Sequence, residues 1–174
     1  MGTFENRVKE VLSRIDNRLE ILKVGRVDQN ETTAVIASQT EDISLDAGTS
    51  EVLNFNDVET DVLEEFDSGT FTPSRDGLYN INIMAEFGVN SDQDELKIDL
   101  VNEDTDESVI ENESRASGSG NIDRQLNTAL QLEEGVGYHV EVENADSSDT
   151  VSGKPKRTRL VIYCSGIDPE ILNV

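Results

Sequence analysis

A mainly β protein, a sandwich or jelly roll carried behind a short N-terminal helix, is what this 174-residue sequence predicts. Three observations carry that reading. Apolar and polar residues alternate in short runs, as at Tyr79, Ile81 and Ile83, at Leu96, Ile98 and Leu100, and at Tyr138, Val140 and Val142, which is the period of a half-buried strand. Turn chemistry separates the runs, with Pro73 and Asp76-Gly77 ahead of Tyr79 and Glu133-Glu134-Gly135 after Leu132. The first 24 residues follow a different, helical period.

That helix is predicted over residues 4 to 24. Phe4, Val8, Val11, Ile15 and Leu22 recur at the a and d spacing of a coiled-coil seam, Leu12 and Leu19 widen the stripe, and Arg18 takes the remaining seam position. Gly25 stops the pattern. A helix of this length is marginal alone, so a partner surface is expected: copies of itself, its own β domain, or another component of a larger particle. The organisation read from sequence is therefore 1–25, a trimerising or docking helix, and 26–174, a jelly-roll domain. Charge divides the chain at the same place, because residues 1–24 carry a net +1 and the remainder carries −24.

Beyond Gly25 the strand candidates are Thr33–Ala37, Ile43–Leu45, Val52–Phe55, the apolar positions Val58, Val62, Leu63 and Phe66, and then the alternation from Tyr79 to Phe87. Leu96 to Leu100 and the short edge Val109-Ile110 follow. Residues 102–108 and 111–121 are polar and read as exposed loops. Leu126, Leu130 and Leu132 precede the strand 138–142, which turns His139, Glu141 and Glu143 outward. Leu160 to Cys164 is apolar on both faces, as expected of a central strand or one lying against a neighbouring subunit. About eight to ten strands at turn-separated intervals make a sandwich or jelly roll.

The net charge of −23, from 37 acidic and 14 basic residues, excludes nucleic acid and anionic membrane surfaces as natural partners. No run reaches the roughly 20 apolar residues of a membrane span, and no secretory signal is seen, so synthesis in the cytoplasm without membrane insertion is expected. Acidic residues spread along a chain that is 35% hydrophobic suit a folded body in brine, where repulsion is screened within about 3 Å at 1 M salt. A halophilic source is the expectation.

Catalytic chemistry is not encoded in any recognisable motif. His139 reads as a solvated residue on the wet face of a strand and Cys164 as a small buried hydrophobe, so no zinc set can be assembled from one of each. There is no nucleophile elbow and no phosphate-cradling glycine loop. The acidic clusters Asp92–Glu95 and Asp104–Glu107 lack the spacing of a calcium loop and read as solvated charge. Lys154, Lys156, Arg157 and Arg159 form a basic patch that is expected to pair with acidic groups on a neighbouring subunit or docking partner, or to relieve local repulsion.

Phe55-Asn56-Asp57-Val58, then Phe66 to Pro73 with Gly69 and Phe71, then Gly77-Leu78-Tyr79-Asn80-Ile81, run in an order that resembles the C1q-like branch of the C1q/TNF superfamily. Leu130-Gln131-Leu132-Glu133-Glu134-Gly135 and Ser165-Gly166-Ile167 extend the likeness over about residues 50–167. The resemblance implies a ten-stranded jelly roll that trimerises with apolar strands facing the threefold axis, usually behind a trimerising stalk. Phe55, Phe66, Gly69, Phe71, Pro73, Gly77, Tyr79, Ile81, Gly135 and Gly166 are then its structural signature. It also raises calcium, bound near the trimer apex in some members, as the one ion to test; no other cofactor is expected.

The functional expectation is a non-enzymatic structural or adhesion protein, a homotrimeric knob on the exterior of a haloarchaeal virus particle. A turret, capsid decoration, tail fibre or host-contacting spike would all fit. Its partners would be itself, other virion proteins through the N-terminal helix, and a host surface glycan or protein met by the acidic loops 102–108 and 113–121. The alternative is a cellular halophilic C1q-like module that binds glycan or protein ligands.

Overall fold

Strands formed by these alternating runs pair into two antiparallel sheets. In the computed structural model the described residues are 33–90, 93–154 and 156–164. In chain order the strands are β1 (Ala34–Ser38), β2 (Ile43–Leu45), β3 (Thr49–Val52), β4 (Asp57–Asp61), β5 (Phe66–Asp67), β6 (Thr70–Phe71) and β7 (Gly77–Val89). They continue as β8 (Glu95–Asn102), β9 (Glu107–Arg115), β10 (Gly120–Leu132), β11 (Tyr138–Asn144), β12 (Asp149–Val151) and β13 (Arg159–Cys164). One sheet runs β2-β12-β7-β13-β1-β4, with β10 pairing β7 along its other edge. The second runs β5-β6-β11-β8-β9, with β3 also on β11.

The core lies between the sheets and is set by parity. On β7 the odd residues Tyr79, Ile81, Ile83, Ala85 and Phe87 are buried, and on β11 Tyr138, Val140 and Val142 face them. Burying Tyr79 requires a partner for its hydroxyl, which donates to the Arg75 carbonyl at 2.9 Å, while its ring meets Phe71 edge-on at 5.5 Å. Burial pushes the Tyr79 phenol up to about 12, and the Glu65 carboxylate acts the same way. Below pH 10 the folded and unfolded phenols are both neutral. Between pH 10 and 12 only the unfolded one ionises, so stability should fall by on the order of 2 kcal/mol across that window. Denaturation midpoints measured from pH 9 to 12 should decline for the parent and decline less for Tyr79→Phe.

Gly69 shows why one signature residue is glycine. Phe66 pairs with Phe71 and Asp67 with Thr70, leaving Ser68 (φ 51°) and Gly69 (φ 94°) as a two-residue turn with both central residues left-handed. A Cβ at Gly69 would lie 3.0 Å from the Asn54 Cα, so the turn also packs too closely for any side chain. Phe55 likewise has positive φ (42°), held by its N–H donating to the buried Gln39 Oε1 at 2.9 Å and by its ring against Phe66.

Several expectations need correction. Val52–Phe55 is not a strand: β3 ends at Val52 and is exposed throughout, and Leu53 and Phe55 reach the core from irregular backbone. Val58 and Val62 are exposed, 45% and 54%. The loop read at 111–121 is mostly strand, since β9 continues to Arg115 and β10 begins at Gly120. β9 buries almost nothing, and an edge strand without a dry face has no alternation to read. The 102–108 loop shrinks to a tight turn in which Asn102 Oδ1 accepts the N–H of Asp104 at 2.9 Å. The predicted helix at 4–24, the boundary at residue 25 and Gly166 lie outside the described residues.

Candidate functional site

The outward face of the β7 sheet is made by the residues that alternate with the core. Cross-strand registers place them in rows. Ala34, Tyr163, Asn80 and Ala129 form one row across β1, β13, β7 and β10, and Ile36, Val161, Asn82 and Asn127 form the next. Leu78 and Gln131 close the near end. None of these residues is charged, on a chain where 29% of residues are. Tyr163 is 49% exposed and Leu78 38%, both unusually open for their size. Asn80, Asn82, Asn127, Val161 and Tyr163 line a shallow open depression of about 550 Å³, and Asn82 Nδ2 donates to Asn127 Oδ1 across it.

Charge returns toward the far end, compensated within the chain. The third row, Ser38, Arg159, Met84 and Gln125, carries Arg159, whose Nη2 meets Glu59 at 3.1 Å. Beyond it Glu86, only 3% exposed, lies beside Lys154 Nζ at 3.6 Å and Arg157 Nε at 3.5 Å. Arg157 also meets Asp123 at 3.0 Å. A buried carboxylate needs such cations. Of the alternatives read for the basic patch, this geometry gives Lys154, Arg157 and Arg159 partners in their own chain. Lys156 is exposed. The sequence offered no sign of this, because Glu86 sits at an outward position of β7 where an acid normally meets water.

The opposite sheet is the reverse. Its outward face carries Glu95, Asp99, Glu111, Glu113, Glu141 and Glu143 around Lys97 and Arg115. Lys97 meets Asp99 at 3.0 Å and Glu111 at 3.2 Å, and is held above its ordinary range first by the hydrogen bond to Asp99. His139 is on this face as expected but is not solvated: its side chain is 12% exposed, with Nδ1 3.4 Å from Glu103 and Nε2 3.1 Å from Glu141.

The predicted signature residues hold the core rather than line a site. Phe55, Phe66, Phe71, Tyr79 and Ile81 are buried, and the Pro73 carbonyl accepts the Gly135 N–H at 2.9 Å, where Gly135 has φ 76°. A Cβ at Gly77 would press on Cys164 Sγ and the Tyr79 ring, both at 3.4 Å. Cys164 is itself buried.

In the first acidic cluster Asp94 and Glu95 already have partners in the chain. Asp94 is buried with its Oδ2 accepting from Ser147 Oγ at 2.6 Å and Asn144 Nδ2 at 3.5 Å, and Glu95 is paired with Arg115. Among the described residues no three acidic, histidine or cysteine side chains converge as a metal would require. Among them, too, no helix is long and apolar enough to cross a membrane.

No protein-family model matches this sequence, and no curated protein does. Solved structures do. An Eiger TNF from S. frugiperda superposes with a TM-score of 0.58 at 11% identity, covering 76% of this chain and 92% of that one. The globular domain of zebrafish complement 1qA protein gives 0.52 at 17%, covering 77% and 96%. Murine APRIL gives 0.59 at 10%, covering 77% and 99%. Two sheets, their strand order and these superpositions together give the chain a C1q/TNF-like jelly-roll fold.

Proposed function

We propose that this chain is a non-enzymatic binding or structural module that self-associates, as a homotrimer, through the uncharged face of the β7 sheet. The observation that carries the reading is the absence of charge from two full rows of a sheet face on a molecule of net charge −23. Copies so acidic repel one another wherever their charged surfaces meet, and this face lets apolar and amide groups touch without burying an unpaired carboxylate. Trimeric order comes from the C1q/TNF resemblance, and from the heptad seam read in the sequence at Phe4 to Leu22.

The charge excess supports a saline setting. We place the trimer as an exposed knob on a haloarchaeal virus particle, with the N-terminal segment toward other virion proteins and the acidic surfaces toward a host glycan or protein. A cellular halophilic binding module is the second reading, favoured by the same charge. Light scattering in multimolar salt should give three times the chain mass, and the assembly should loosen as salt is withdrawn. A monomer at every concentration would end the self-association reading. Proteomics of purified particles separates the two settings, since only the first puts this chain in the virion.

A further inference from the structure

We infer that Asn82 and Asn127 are the specificity-determining pair of this face, selecting one register of assembly through carboxamide hydrogen bonds between copies of the chain. The inference rests on the self-association reading. Asn82 Nδ2 donates to Asn127 Oδ1 within one copy. That bond uses Asn82 Nδ2 and Asn127 Oδ1, so each copy presents the Asn82 amide oxygen and the Asn127 amide nitrogen as the atoms it does not engage.

Both amides sit in a row with Ile36 and Val161, at the depression bordered by Tyr163. Covering this row with a second copy removes its water, and a buried amide group without a partner is costly. A head-to-tail ring engages both idle atoms: Asn127 Nδ2 of each copy donates to Asn82 Oδ1 of the next, and closure leaves neither atom without a partner. Shifting one copy along its strands by two residues would set Met84 or Asn80 in place of Asn82 and Gln125 or Ala129 in place of Asn127, breaking that match. An entirely apolar face would tolerate such shifts.

Asn82 is half-buried and Asn127 exposed in a single copy, so substitutions at both leave the core intact. Sedimentation velocity in multimolar salt would compare the parent with Asn82→Leu, Asn127→Leu and the double variant, with circular dichroism as a check on folding. A parallel alanine series stands in if a leucine variant misfolds. Each single variant should weaken association at least tenfold, because it strands the partner amide. The double variant should regain affinity and spread over several oligomer sizes. Variants that all keep the parent's single size and dissociation constant, or a double variant as weak as the two single losses combined, would overturn the role of the pair and leave self-association standing. A monomeric parent would overturn both.

Discussion

Val161→Glu should turn the assembled protein into a monomer that is as stable as one parent subunit. Val161 lies in the second uncharged row, between Ile36 and Asn82, on a strand whose alternate residues Leu160 and Ile162 already fill the core. Its side chain points away from the core, so the folded subunit should change by no more than about 0.5 kcal/mol. In an assembly each copy would bury a carboxylate with no cation opposite. The desolvation cost is several kcal/mol per ion, enough to lower association by about a thousandfold. Multimolar salt should not rescue the variant, because salt screens repulsion between charges and leaves the cost of removing their water in place. Sedimentation of parent and variant side by side is the check. A variant that still sediments as the parent does would remove this face from the interface.

Tyr79→Ala should cost about 3–5 kcal/mol, whereas Tyr79→Phe should cost about 1. The alanine variant loses a fully buried ring, its edge contact with Phe71 and the hydrogen bond to the Arg75 carbonyl. The phenylalanine variant loses only the hydrogen bond and leaves that carbonyl without its donor. Against a typical domain stability of about 5–15 kcal/mol, the first leaves a marginal protein and the second a sound one. Urea denaturation at constant salt measures both. Equal losses from the two variants would mean that the hydroxyl, and not the ring, dominates at this position.

The parts of the fold that were legible in sequence are those with one wet and one dry face. Tyr79 to Phe87 and Tyr138 to Val142 announce themselves because burial forces a period of two. β9 does not, being exposed on nearly every residue, and neither does the route of Leu53 and Phe55 into the core, which depends on a left-handed Phe55 that no apolar pattern encodes. The candidate site was half legible. The doubly apolar run Leu160 to Cys164 read as a central strand or one lying against a neighbouring subunit; β13 is central in its sheet, between β7 and β1, and Val161 and Tyr163 are the residues it turns outward. Asn127 and the clasp on Glu86 depend on which strand lies beside β7, and pairing between strands distant in sequence is not carried by local residue patterns.

In the proposed assembly the zoning of charge would also govern how quickly copies meet. Rows that carry none are set in a body that carries a large negative excess, so two copies approaching through solution repel before the neutral rows touch. Encounter is then the step that salt accelerates. Once formed, such a contact would be held by groups that salt barely reaches, so the lifetime of the assembly would be set by the fit of those rows. Salt would then act on the proposed assembly chiefly at the encounter step, and the sheet face would decide how long the copies stay.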